Sequence, residues 1–207
     1  MNKKLFEKLF FWPKAYISGV DFISILDKSA YSRQAIIKRA VQEGFLSPLR
    51  RDLFLINNSQ FVVNAFEVAA LIYGPSYISF ESALSHHGWI PEAVRTTTSA
   101  SVKRTKEFLT PIGAFSYEHI PLEAFSFGVE QHTQNKINLF IATPCKALAD
   151  MIYARKRTWK TSEELLEDLR IEPESFENVD KKVLRTLIEN YPSERVKKTL
   201  SLLLKSL

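Results

Sequence analysis

The hydrophobic positions of the first sixty residues change period several times. Leu5, Phe6, Leu9 and Phe10 recur among the charges of residues 2–10 and predict a helix that ends at Trp12-Pro13. Ala15–Ser18 reads as a short extended piece broken by Gly19, and Val20–Leu26 as a short amphipathic segment. Asp27-Lys28-Ser29 has turn chemistry. A helix is predicted beyond it, from about Tyr31 to Glu43, with Ser29 or Ser32 as its cap and Gly44 as its stop. Its inward stripe is Ala35, Ile36, Ala40 and Val41, which leaves Arg33, Gln34, Lys38 and Gln42 at the surface. Phe45–Leu49 and Leu53–Ile56 are apolar runs joined by Arg50-Arg51-Asp52, the pattern of a hairpin with a basic tip.

Helix, extended piece, helix, turn, helix and basic hairpin is the order of a winged helix-turn-helix. In that arrangement the second helix of the pair offers Arg33, Gln34 and Lys38 to base edges and phosphates. Ser29 and Ser32 serve as cap or phosphate contacts, and Arg50 and Arg51 at the hairpin tip reach the flanking backbone or the minor groove.

Asn57-Asn58-Ser59-Gln60 is a polar break, so the expected units are 1–60 and 61–207. Past the break, Asn64–Tyr73 and Phe80–His87 read as helices, closed by Gly74-Pro75 and Gly88. Val94–Lys103, Ala114–Ile120, Ala124–Val129 and Ile137–Thr143 read as strands. From Pro144 the pattern is helical, at Lys146–Arg157, Ser162–Arg170, Lys181–Asn190 and Ser193–Ser206. The expected fold class is α+β, an N-terminal winged helix followed by a mixed α/β domain with a helical C-terminal third.

Charge sharpens the division. Of the 207 residues, the first sixty carry ten Lys or Arg against five acids, whereas 61–207 carry 18 of each. The whole net charge of +5 therefore sits on the first third, which favours a polyanion-binding head. The single cysteine, Cys145, excludes an intrachain disulfide, and no apolar run approaches a membrane span. A cytoplasmic location and no membrane partner are expected.

Other chemistry is weaker. Ser82 with His86 suggests a hydrolase pair, but no nucleophile-elbow glycines surround Ser82. His86 and His87 are adjacent on a helix and point about 100° apart, a poor chelate. The better expectation is structural, with Ser79 capping the helix, Ala83 and Leu84 packing, and His86 bonded to backbone near Gly88. At the strand-to-helix junction Thr143 caps, Pro144 fills the first turn, and Ala147, Leu148 and Met151 face a core. Cys145 there has the position of an activated thiol but is expected to be packed. Arg155-Lys156-Arg157 with Trp159 and Lys160 forms a second basic cluster, with acids nearby to neutralise it. No cofactor motif is present, and no metal site or catalytic residue is assigned.

Three stretches in this order resemble the AbiEi family of antitoxins from type IV toxin–antitoxin systems. They are Gly44-Phe45-Leu46 with Arg51 to Leu55 in the hairpin, the Tyr-Ile-Ser-x-x-Ser-Ala-Leu-x-x-His-Gly pattern at Tyr77 to Gly88, and the Thr-Pro-x-Lys-Ala-Leu-x-Asp pattern at Thr143 to Asp150. Leu53-Phe54 stands where such proteins often have a Gly–Tyr pair. The resemblance covers most of the chain. It implies a winged helix that represses its own operon at promoter inverted repeats in double-stranded DNA. It also implies a body that opposes a nucleotidyltransferase-like toxin without forming a stable complex with it, in systems linked to abortive phage infection. A stand-alone winged-helix regulator with a ligand- or partner-sensing body is the alternative. An enzyme is the third possibility, and nuclease chemistry would need clustered carboxylates that no motif supplies.

Overall fold

The computed structural model describes residues 3–26, 29–91, 94–134, 137–177 and 179–207. Asn2 and the turn expected at Asp27-Lys28 lie outside the described residues.

The first third folds as α1 (Lys3–Phe10), β1 (Tyr16–Ser18), α2 (Gly19–Ile25), α3 (Ala30–Gln42), β2 (Leu46–Arg50) and β3 (Leu53–Ile56). Gly19 does more than break the extended piece, because it opens α2. The reason is a reciprocal cap, in which the Ser18 hydroxyl accepts the Asp21 amide and the Asp21 carboxylate accepts the Ser18 amide at 2.7 Å. Ser29 caps α3 by accepting the Ser32 amide, and Gly44 at φ +75° ends it. The inward stripe of α3 differs from the expected one. Ala40 is buried and Ile36, Ile37 and Val41 pack around it, whereas Ala35 is exposed. The three strands form an antiparallel sheet in the order β1-β3-β2. A register shift between Pro48 and Arg50 leaves Arg50 within β2 and confines the turn to Arg51 and Asp52, the latter at φ +58°.

The body begins with α4 (Ala65–Ile72), capped by the Asn64 side chain accepting the Phe66 amide at 2.9 Å. β4 (Ser76–Ile78) and α5 (Phe80–His86) follow, then β5 (Thr96–Ser101), β6 (Lys106–Thr110), β7 (Gly113–His119), β8 (Val129–Gln134) and β9 (Ile137–Ala142). They build a six-stranded mixed sheet in the order β6-β7-β5-β4-β9-β8, parallel at β5–β7 and β4–β9. The strand expected at Ala124–Val129 is not formed. A 3-10 turn occupies Leu122–Ala124, Gly128 takes φ +68°, and the strand starts only at Val129. Phe125 and Phe127 alternate like strand residues, yet they pack on the core from a loop.

The helical remainder is α6 (Pro144–Arg155), α7 (Ser162–Leu169), α8 (Pro173–Glu177), α9 (Lys181–Asn190) and α10 (Glu194–Ser206). The chain is thus α+β with a helical C-terminal region. α6 is its central helix, with every residue from Cys145 to Ile152 buried.

Two hydrophobic clusters organise the molecule. Leu5, Leu9, Ile17, Phe22, Ala40, Leu46 and Ile56 form the core of the first third. Tyr16, Leu49 and Leu53 belong instead to the body's cluster. The hairpin therefore has one face in each core, as alternation across a β-ribbon requires. Arg50 Nε donates to the Leu71 carbonyl at 2.8 Å and ties the same hairpin to α4.

Candidate functional site

The residues expected to meet DNA divide into three groups. Gln34 and Lys38 are exposed and lie four positions apart on one face of α3. Arg51 is almost fully exposed at the hairpin tip, its Nε 3.8 Å from Asp52 Oδ2. Arg33 is half-buried on α3. Ser29 and Ser32 are engaged in the cap, their hydroxyls 3.0 Å apart. Arg50 points its guanidinium back at the protein, donating to the Leu71 and Arg51 carbonyls. Arg39 pairs with Glu43 at 2.8 Å.

The second arrangement is a buried ion pair. Lys146 Nζ lies 2.7 Å from Asp150 Oδ1, and both side chains are wholly shielded. Nζ also donates to the Ala124 carbonyl at 2.7 Å and sits 4.9 Å from the Tyr191 ring centroid. Asp150 Oδ1 accepts a second bond from the Tyr191 hydroxyl at 3.1 Å. Oδ2 accepts the Tyr77 and Ser79 hydroxyls at 2.7 and 2.8 Å. The carboxylate is thereby saturated with hydrogen bonds, as burial of a polar group requires. Burial lowers the Lys146 pKa, while Asp150 opposes that shift. Burial, followed by the Asp150 charge, pushes the Tyr77 and Tyr191 hydroxyls well above their ordinary values.

This network overturns one expectation and explains two motifs. Ser79 occupies the cap position of α5 but makes no side-chain cap bond, because its hydroxyl is drawn to Asp150. Tyr77 and Ser79 come from one motif, and Lys146 and Asp150 from another. The sequence signal was a Lys and an Asp four apart within Cys145–Ile152, a helical stretch otherwise apolar all round, since such charges must pair inside.

The hydrolase residues are occupied elsewhere. Ser82 is buried, its hydroxyl accepting the Thr98 amide at 2.8 Å and contacting the Thr96 carbonyl at 3.4 Å. His86 is exposed and does not bond the backbone near Gly88. It is His87 whose Nε2 lies 3.0 Å from a carbonyl, that of Ala142. His132 of β8 joins them, its ring 5.8 Å from His86 and 6.4 Å from His87. Burial and the two neighbouring imidazoles lower the His86 pKa. Among the described residues no three His, Cys, Asp or Glu side chains are placed to hold a metal ion. Cys145 is buried, and burial pushes its thiol up to about 12, away from nucleophilic use.

The two arginines of the second basic cluster are paired with acids. Arg155 bridges Glu81 and Glu118, Arg157 pairs with Asp168 at 2.7 Å, and Trp159 Nε1 donates to the same carboxylate. A cavity of about 430 Å³ opens beside β4, between Gly74–Tyr77, Phe125 and Phe140. No helix among the described residues is long and apolar enough to cross a membrane. In comparisons with known proteins, no family model matches the chain and no curated protein matches it.

Proposed function

We propose that the chain is a DNA-binding antitoxin that represses its own operon and opposes a nucleotidyltransferase-like toxin, in the manner of the AbiEi antitoxins it resembles. The observation that carries the DNA-binding half is the joint exposure of Gln34 and Lys38 on α3 and of Arg51 at the hairpin tip. They lie on the third of the chain that holds all the net positive charge. The first third is on this reading a winged helix-turn-helix, with α3 entering the major groove and the β2–β3 wing reaching the flank. Phosphate contacts by Lys38, Arg33 and Arg51 supply salt-dependent affinity, and a second copy on an inverted repeat supplies specificity. No catalytic chemistry and no cofactor are assigned, and the protein works in the cytoplasm.

A gel shift with the upstream promoter region tests the first half. The full chain retards the fragment, and the Arg33→Ala/Lys38→Ala variant does not. Unaltered binding by that variant removes α3 from the interface. Co-expression of the full chain with the neighbouring gene product tests the second half. Growth rescue by both the wild type and the double variant separates toxin opposition from DNA binding.

The cavity beside β4 favours a second reading, a stand-alone regulator whose body senses a small molecule. A nucleotidyltransferase-like reading frame next to the gene supports the antitoxin, and a neighbourhood without one supports the regulator.

A further inference from the structure

β4 is the weakest seam of the six-stranded sheet. It pairs with β5 along its full length, from Ser76↔Ser101 to Ile78↔Ser99. With β9 it pairs, among the described residues, at Ile78↔Ile141 alone. On the N-terminal side of that pair the strands part, and the cavity lies in the fork, with Gly74–Tyr77 on one side and Phe140 on the other. Ala70 of α4 forms part of its wall, and Phe125 and Val129 close its far end.

We propose that this fork binds a small, neutral, largely aromatic molecule that carries one hydrogen-bonding group. A volume of about 430 Å³ lies within the range of small-molecule sites. Its walls offer aromatic faces. Phe125 leans on Tyr77 with ring centroids 5.1 Å apart, and Phe140 is half exposed at the rim. Among the described residues that line it, none is Asp, Glu, Lys, Arg or His. A charged ligand would lose its hydration there without gaining a counter-charge, so neutrality is required. The single ionisable hydroxyl, that of Tyr77, is already committed to Asp150.

The polar anchor is Ser76. It lines this cavity and the narrow one that continues between α4 and the sheet, and its Oγ, shielded behind the wall, has no hydrogen-bond partner among the described residues. Ser99, in the wall of the narrow cavity, carries a second such hydroxyl. Buried hydroxyls are normally satisfied, and one left without a partner behind a cavity wall can meet a ligand's donor or acceptor by turning about its Cα–Cβ bond. An occupant would touch Tyr77, a member of the ion-pair network. It would also touch Ala70, next to the Leu71 carbonyl that holds Arg50. The fork thus supplies a ligand class to the regulator reading, while its occupancy is measured without DNA and fails or succeeds independently of the gel shift.

The full chain is titrated with N-phenyl-1-naphthylamine, a neutral aromatic amine with one N–H that fluoresces in apolar surroundings. Saturable one-to-one binding is expected. Phe140→Asp and Ala70→Phe, both at exposed positions, each weaken it at least about tenfold while the far-UV spectrum stays that of the wild type. The same skeleton bearing a sulfonate, 1-anilinonaphthalene-8-sulfonate, binds at least about tenfold more weakly. Amide shifts in the wild type, which need no variant, are expected to move at Gly74, Ser76 and Phe140. Equal affinity in both variants, equal binding of the sulfonate, or shifts confined to other residues each overturn the proposal.

Discussion

Lys146 and Asp150 face each other one helical turn apart on α6, Nζ 2.7 Å from Oδ1, with neither side chain exposed. Lys146→Met strands a buried carboxylate and is expected to cost about 3–5 kcal/mol. Adding Asp150→Asn removes the stranded charge while keeping an amide for the Tyr77, Ser79 and Tyr191 hydroxyls, so the double variant recovers part of that loss. Urea denaturation of the three proteins checks the order. A double variant less stable than Lys146→Met would mean that hydrogen bonds, not charge pairing, dominate the site.

Much of this architecture was legible in the sequence, and the failures have separate physical causes. Caps and stops at Ser29, Gly44 and Thr143 act locally, so they can be read residue by residue. Three strands went unrecognised: β4, too short at three residues to show a period, and β6 and β8, the edges of the six-stranded sheet. Lys106, Glu107, Glu130 and Gln131 face solvent there, and an edge strand has little apolar alternation to betray it. The polar network was also hidden, because Tyr77 and Tyr191 are far from Asp150 in sequence and only the tertiary fold brings them together. Ser79 illustrates the conflict, since a good local cap yields to a buried carboxylate.

Alkaline pH should unfold the protein through its buried acids. The Cys145 thiol ionises near 9 in the unfolded chain but only near about 12 in the fold. The Tyr77, Tyr117 and Tyr191 hydroxyls are likewise raised by burial. The fold retains protons that the unfolded chain releases, so stability is intact below pH 9 and falls above it. Each group contributes at most about 1.4 kcal/mol per pH unit. Lys146, lowered by burial, acts in the opposite sense between its folded and unfolded values, and a single group offsets only part of the fall. Urea midpoints from pH 8 to 11 check this, and Cys145→Ala should flatten the curve between pH 9 and 10.

Gly128 approaches the network from outside. At φ +68° any side chain is strained, and a Cβ there would meet Lys146 Cβ at 3.0 Å and Thr143 Oγ1 at 3.2 Å. Gly128→Ala is expected to cost about 1–3 kcal/mol, measured by thermal or urea unfolding. An unchanged midpoint would show that the loop before β8 shifts freely.

The two arginines of the hairpin should behave differently. Arg51→Ala is expected to weaken promoter binding and reduce the salt slope by about one ion. Arg50→Ala frees the Leu71 carbonyl and is expected to lower stability by about 1 kcal/mol, with the smaller effect on DNA. Salt titrations of binding, together with melting curves of both variants, separate the roles. Equal effects on both measurements would rule out this division.

The β2–β3 hairpin places Leu46 and Ile56 in one core and Leu49 and Leu53 in the other. Two strands thus carry a mechanical account of both ends of the molecule. A ligand that grips the tip at Arg51 with preference for one hairpin geometry also selects among states of the body, and an occupant of the body that favours one geometry alters the grip by the same factor. Reciprocity of that kind needs no moving linker. It follows from a ribbon with no side left over.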